Sequence, residues 1–157
     1  MTFALALSLS LALGAGELTE AQVGAITLKV PGTWQRREVE GTTRFASPSG
    51  EAYIDMDVGQ VQRKGGMPAA ECLKKILAGM GSPGFKKTKA GGQPAAASKE
   101  IVDTDDQGKK FVGLTYVGCD GKTTWSMQFH VVDAKRAEFI PVADQVLKSL
   151  TYRKAEK

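Results

Sequence analysis

The run TTWSMQFHVV, residues 123–132, constrains the fold more than any other stretch of this chain. Trp125, Met127, Phe129 and Val131 fall on one side of an extended backbone, and Ser126, Gln128 and His130 fall on the other. Successive side chains of a strand point to opposite faces, so strict alternation reads as a half-buried strand. Such a strand needs neighbours whose apolar residues keep the same phase. Residues 51–61, EAYIDMDVGQV, supply one: Ala52, Ile54, Met56 and Val58 point inward, and Tyr53, Asp55 and Asp57 point outward. Ile26, Leu28 and Val30 in AITLKV repeat the pattern, and TTRFAS, residues 42–47, joins the long strand through the turn SPSG. AAASKEIVDT, KKFVGLTYVGC and TTWSMQFHVVD, separated by the turns DDQG and CDGK, form an antiparallel meander.

Two segments carry the helical period instead. In MPAAECLKKILAGM the residues Cys72, Leu73, Ile76, Leu77 and Met80 make one apolar stripe, Pro68 suits the first turn, and Gly79 and Gly81 suit the C-terminal end. Residues 138–150 place Phe139, Val142, Ala143, Val146, Leu147 and Leu150 at helical spacing, with Pro141 expected in the first turn. Between the first helix and the meander, the Gly, Pro and Lys-rich residues 81–94 read as a loop. With 157 residues, 42% of them hydrophobic, the chain suits one core, so residues 17–157 are expected to form one domain.

The first sixteen residues, MTFALALSLSLALGAG, carry no charged side chain, and the apolar run at 3–13 has the length of the hydrophobic region of a signal peptide. It is short for a membrane span. Gly14, Ala15 and Gly16 offer small side chains for cleavage, so residues 1–16 are expected to be removed on export to the periplasm or beyond. The n-region has no Lys or Arg, which an upstream start would supply. A buried N-terminal helix or an uncleaved anchor is the other reading of this run.

A strand ending in VPGTW, one ending in FASPSG, a long strand, a helix, a Gly-rich stretch, a meander and a last helix closing in VADQVLKSLTY follow one another in that order. Over residues 24–153 this resembles the PsbP-like and DcrB-like superfamily. The resemblance implies an α+β fold, a twisted antiparallel sheet with helices packed on it. It also implies that Trp34 packs in the core or at its edge, and it carries no catalytic residues across. Members of that superfamily share a habit of binding other proteins.

Candidate chemistry is thin. The single histidine, His130, lies on the polar phase of a strand with no nucleophile motif in support, so no catalytic residue is assigned. GMGSPG, residues 79–84, spells GxGxxG but follows a helix, which loses the phosphate-cradling geometry and leaves no cofactor site. DTDDQG, residues 103–108, opens like a calcium loop, yet Gln107 stands at the fifth place and Leu114 at the twelfth. That is a hairpin turn, and no metal is expected there. Asp55 and Asp57 share a strand face, where solvation explains them as well as acid–base work does. The 21 basic and 17 acidic residues are interspersed, giving a formal charge of +4 without the basic and aromatic interleaving of a nucleic-acid groove.

Cys72 and Cys119 have no zinc-motif spacing. In an exported chain they are expected to form a disulfide, and the other reading, if the Cys119 phase of its strand faces away from the first helix, is a pair of buried free thiols. Both phases of that strand are apolar, so alternation leaves the choice open.

The leading expectation is an exported, non-enzymatic module of the cell envelope. It would hold a protein partner on the sheet face carrying Tyr53, Asp55, Asp57, Ser126, Gln128 and His130, or on residues 81–94. A cytosolic chaperone that shields hydrophobic helices of secreted effectors is the alternative, with an enzyme of unrecognised type third.

Overall fold

The computed structural model describes residues 16–81 and 84–154. The expected leader therefore lies outside the described residues, Gly16 apart, as do residues 82 and 83 of GMGSPG.

The chain begins with β1 (Leu18–Val23) and β2 (Ile26–Pro31), then β3 (Gln35–Val39), β4 (Thr42–Ala46) and β5 (Ala52–Gln60). After α1 (Ala69–Met80) come β6 (Lys86–Ala90), β7 (Gln93–Ala97), β8 (Ile101–Thr104), β9 (Lys110–Cys119) and β10 (Thr123–Val132). A short 3₁₀ turn leads into α2 (Arg136–Ser149), and β11 (Thr151–Tyr152) follows. Strands β3 to β10 make an eight-stranded sheet in the order β3-β4-β5-β10-β9-β7-β6, with β8 beside β9. A second sheet runs β1-β2-β11, and every pairing in both sheets is antiparallel. This is the α+β sandwich that the resemblance implied.

The alternating phases decide the layering. Ile54 and Met56 of β5, Val112 and Tyr116 of β9, and Met127 and Phe129 of β10 point to one side of the large sheet. There they meet Ile26 and Leu28 of β2 and Phe139, Val142 and Val146 of α2. A fully buried Phe or Ile side chain stabilises by roughly 2 kcal/mol, so this layer dominates the fold. Trp34 is buried in it with its ring 6.1 Å from that of Phe139, edge to face. VPGTW therefore turns the chain and seats a core aromatic: Trp34 N–H donates to the Pro31 carbonyl at 2.9 Å.

On the opposite side, α1 covers only the β7–β9 end. Leu73 packs there on Ala96 and Val117, and Ile76, Leu77 and Phe85 border the cluster. The Cys119 phase of β9 faces α1, and Cys72 and Cys119 form a disulfide with Cα atoms 6.1 Å apart. Both phases of β9 are apolar because both faces of that strand are covered.

Residues 81–94 are not the loop their composition suggests. They contain β6 and the turn into β7, a hairpin with Lys86 opposite Ala97 and Ala90 opposite Gln93. Lys86, Lys87 and Lys89 disguise β6, which runs along the sheet's edge with only Ala90 buried. Lysines are how such edges avoid pairing with another chain. The expected strand at 95–104 is two strands, β7 and β8, divided at Ser98, whose hydroxyl accepts the Thr115 N–H at 2.9 Å. β1 and β3 also escape a reading by alternation, since four of the five residues of β3 are exposed. Finally, Pro141 sits in the second turn of α2, not the first, on an exposed side where the forfeited bond to Ala137 meets solvent.

Candidate functional site

Because α1 stops short, the other half of that sheet face is open. Strand register places the candidate residues there in rows. Tyr53 lies opposite His130, Asp55 opposite Gln128 and Asp57 opposite Ser126, so all six share one face of the β5–β10 pair. Neighbouring strands are about 4.8 Å apart, close enough for the side chains of a row to touch.

They form a layered network. The Tyr53 and His130 rings stack with centroids 4.6 Å apart and planes 18° from parallel. The Arg44 guanidinium lies 4.1 Å from the centre of the Tyr53 ring. Arg44 also holds Asp55 through two bonds, Nε to Oδ1 at 2.6 Å and Nη2 to Oδ2 at 2.7 Å. One step along, the Thr42 hydroxyl donates to Asp57 Oδ1 at 2.8 Å. Arg44 and Thr42 are the members that sequence reasoning missed. The signal was present: Thr42 and Arg44 occupy the polar phase of TTRFAS, and a hairpin about SPSG sets Arg44 opposite Asp55.

The electrostatics follow from this packing. Burial pushes the His130 pKa below its ordinary value, with Asp55 opposing the shift and Arg44 adding to it, so the ring is neutral at neutral pH. Burial raises the Tyr53 pKa, which Arg44 partly offsets. The bonds to Asp55 raise that of Arg44. The face thus presents neutral rings beside the matched Arg44–Asp55 ion pair, with the exposed Asp57 carboxylate adding one negative charge.

Beside the stack lies a groove of about 570 Å³, bordered by Tyr53, His130, Gly113, Phe111, Ile101 and Asp103. Gly113 stands opposite His130 on β9 and, having no side chain, leaves the groove floor bare. Ile101 on β8 is 61% exposed, making it an apolar rim to a polar floor.

The remaining candidates resolve simply. Asp105 Oδ1 accepts the N–H groups of Gln107 and Lys109, so DTDDQG is a hairpin turn. Among the described residues no group of three or more His, Cys, Asp or Glu is placed to hold a metal ion. Among them also, no helix is long and apolar enough to cross a membrane.

Sheet order, layering and partial helix cover together define an α+β sandwich with one open sheet face. The sequence matches no protein-family model and no curated protein. The fold is nevertheless shared. A crystal structure from Bacteroides thetaiotaomicron VPI-5482 superposes with a TM-score of 0.68 at 16% identity, covering 90% of this chain and 50% of that one. The present chain therefore spans half the length of the Bacteroides protein. LpqN, involved in cell envelope biogenesis of Mycobacterium tuberculosis, matches with a TM-score of 0.61 at 15% identity over 88% of this chain and 91% of its own. The Ran-binding protein Mog1p of Saccharomyces cerevisiae matches with a TM-score of 0.50 at 12% identity, over 88% and 96%. At these identities the likeness is one of fold.

Proposed function

We propose that this chain is an exported, non-enzymatic binding module of the cell envelope that holds a protein partner against the open face of its large sheet. The observation that carries the reading is the Arg44–Tyr53–His130 layer, which is already ordered on a surface that no other part of the described chain covers. Aromatic and Arg side chains are the types enriched at protein interfaces, and groups fixed before binding lose little entropy on docking. Ile101 and Phe111 beside them offer an apolar anchor. The disulfide suits an oxidising compartment, and the charge-free leader points the same way. Among proteins of this fold, one is involved in envelope biogenesis and another binds Ran, so the sandwich accommodates both location and activity.

The face is a poor fit for the chaperone alternative. An apolar helix laid across it would bury Asp57 and Gln128, now exposed, without supplying them partners.

Affinity capture from a solubilised envelope fraction tests the proposal, using wild type, Ser126→Arg/Gln128→Arg and a Lys74→Glu/Lys75→Glu control on α1. A protein retained by wild type and control and lost by the first double variant supports it. Equal retention by all three sinks it.

A further inference from the structure

A second cleft lies at the other end of β5 and β10, about 23 Å of strand from the Tyr53–His130 stack. Its volume is about 1110 Å³, and four separate chain segments line it, three of which carry cations. The turn after β5 brings Arg63, the β9–β10 hairpin brings Lys122, and the chain beyond β11 brings Arg153 and Lys154.

None of these four cations forms an ion pair with another described residue. The one carboxylate in the lining, Asp120, keeps its negative charge while its Oδ1 accepts the N–H groups of Lys122 and Thr123, so four cations face one anion. Four exposed cations against one carboxylate leave an excess of positive charge, and a concave surface focuses such a field into the cleft. Tyr152 adds a neutral donor. Its oxygen accepts the Trp125 indole N–H at 2.7 Å, which leaves the phenolic hydrogen free to point elsewhere. Burial first, eased by the Trp125 bond, pushes the Tyr152 pKa up to about 12, so that hydrogen is present at any physiological pH.

The walls are built rather than incidental. Val61 N–H donates to the Lys122 carbonyl at 2.8 Å, Met67 N–H to Gly121 at 2.9 Å, and Arg153 N–H to Ala25 at 2.8 Å. Gly66 and Gly121 allow that approach: a Cβ on Gly121 would fall 2.1 Å from the Met67 carbonyl oxygen, and one on Gly66 2.6 Å from that of Gly121. The hairpin also hangs on the disulfide, since Cys119 Sγ accepts the Gly121 N–H at 3.2 Å.

We infer that this cleft binds a phosphate-bearing anion, with Arg63, Lys122, Arg153 and Lys154 supplying charge and Tyr152 a neutral hydrogen bond. Arg guanidinium forks match phosphate oxygens in pairs, and Lys adds point charge. The anion is either a soluble phosphate compound or a phospholipid headgroup, and the two sources separate experimentally. The inference stands on side chains remote from the open sheet face and does not depend on the partner proposed there.

The experiment uses the oxidised chain with two probes: inorganic pyrophosphate by calorimetry, and sedimentation with phosphatidylcholine vesicles with and without phosphatidylglycerol. Lys122→Glu/Arg153→Glu is compared with Lys86→Glu/Lys87→Glu, the same charge change on the β6 edge, and Lys154→Glu serves if the first double variant unfolds early. Binding of pyrophosphate assigns a soluble phosphate, and binding only to phosphatidylglycerol vesicles assigns a headgroup. In either case the cleft variant should lose about tenfold or more in affinity and the edge variant little. Failure of both probes, or equal loss in both variants, would overturn the inference.

Discussion

The stack on the open face turns one histidine into a reporter. Unfolded, His130 takes up a proton as pH falls through about 6.5, whereas the folded chain resists protonation until lower pH because the ring is half-buried against Tyr53. The lowered pKa therefore favours folding above about pH 6.5 and costs stability as pH falls from there through the folded value. Denaturant unfolding at several pH values between about 7.5 and about 5 should show His130→Gln losing less stability toward acid than wild type; parallel curves would remove His130 from the account. Arg44→Ala leaves Asp55 half-buried without its partner and should cost about 2 kcal/mol, whereas Arg37→Ala on the exposed β3 edge should cost under about 0.5 kcal/mol. Gly118 is a third sensitive residue, because a Cβ there would lie 2.4 Å from the Trp125 ring. Gly118→Ala should destabilise by about 1–3 kcal/mol and perturb Trp125 fluorescence, since the indole also bonds Tyr152. An unshifted spectrum with unchanged stability would contradict that packing.

At the scale of the element, strands differ in how openly they declare themselves. β5 and β10 are wet on one face and dry on the other, so alternation exposes both their existence and their phase. β3 and β6 are edges whose Arg and Lys side chains protect them from foreign strands, and that same protection erases the apolar pattern. β9 hides its orientation for the opposite reason, being covered on both faces, so the expected pairing of Cys72 with Cys119 rested on compartment and not on alternation. The six residues of the open face were legible because phase alone groups them. Arg44 was not, because its role depends on the register of a hairpin. The disulfide spans 47 residues of sequence and anchors α1 to the end of β9. Cys72→Ala/Cys119→Ala should lower the unfolding free energy by up to about 4 kcal/mol in the chain-entropy model. Denaturant titration checks this, and a loss below about 1 kcal/mol would mean that the bond adds little to α1 packing.

Across the whole molecule, one face of the large sheet is consumed by the core and the other is divided between α1 and an open, pre-formed surface. The ion pair and the aromatic stack on that surface are in place before any partner binds. On the proposed function, this surface is occupied in the cell. The direct measurement places a photo-crosslinking amino acid at position 128, exposed in the middle of the open face, and at position 148, exposed on α2, and irradiates growing cells that express the full chain, residues 1–16 included. The account predicts a discrete adduct from position 128 with a protein of the envelope, and none from position 148. Adducts equal at the two positions, or none at 128 while the chain is present and oxidised, would contradict it.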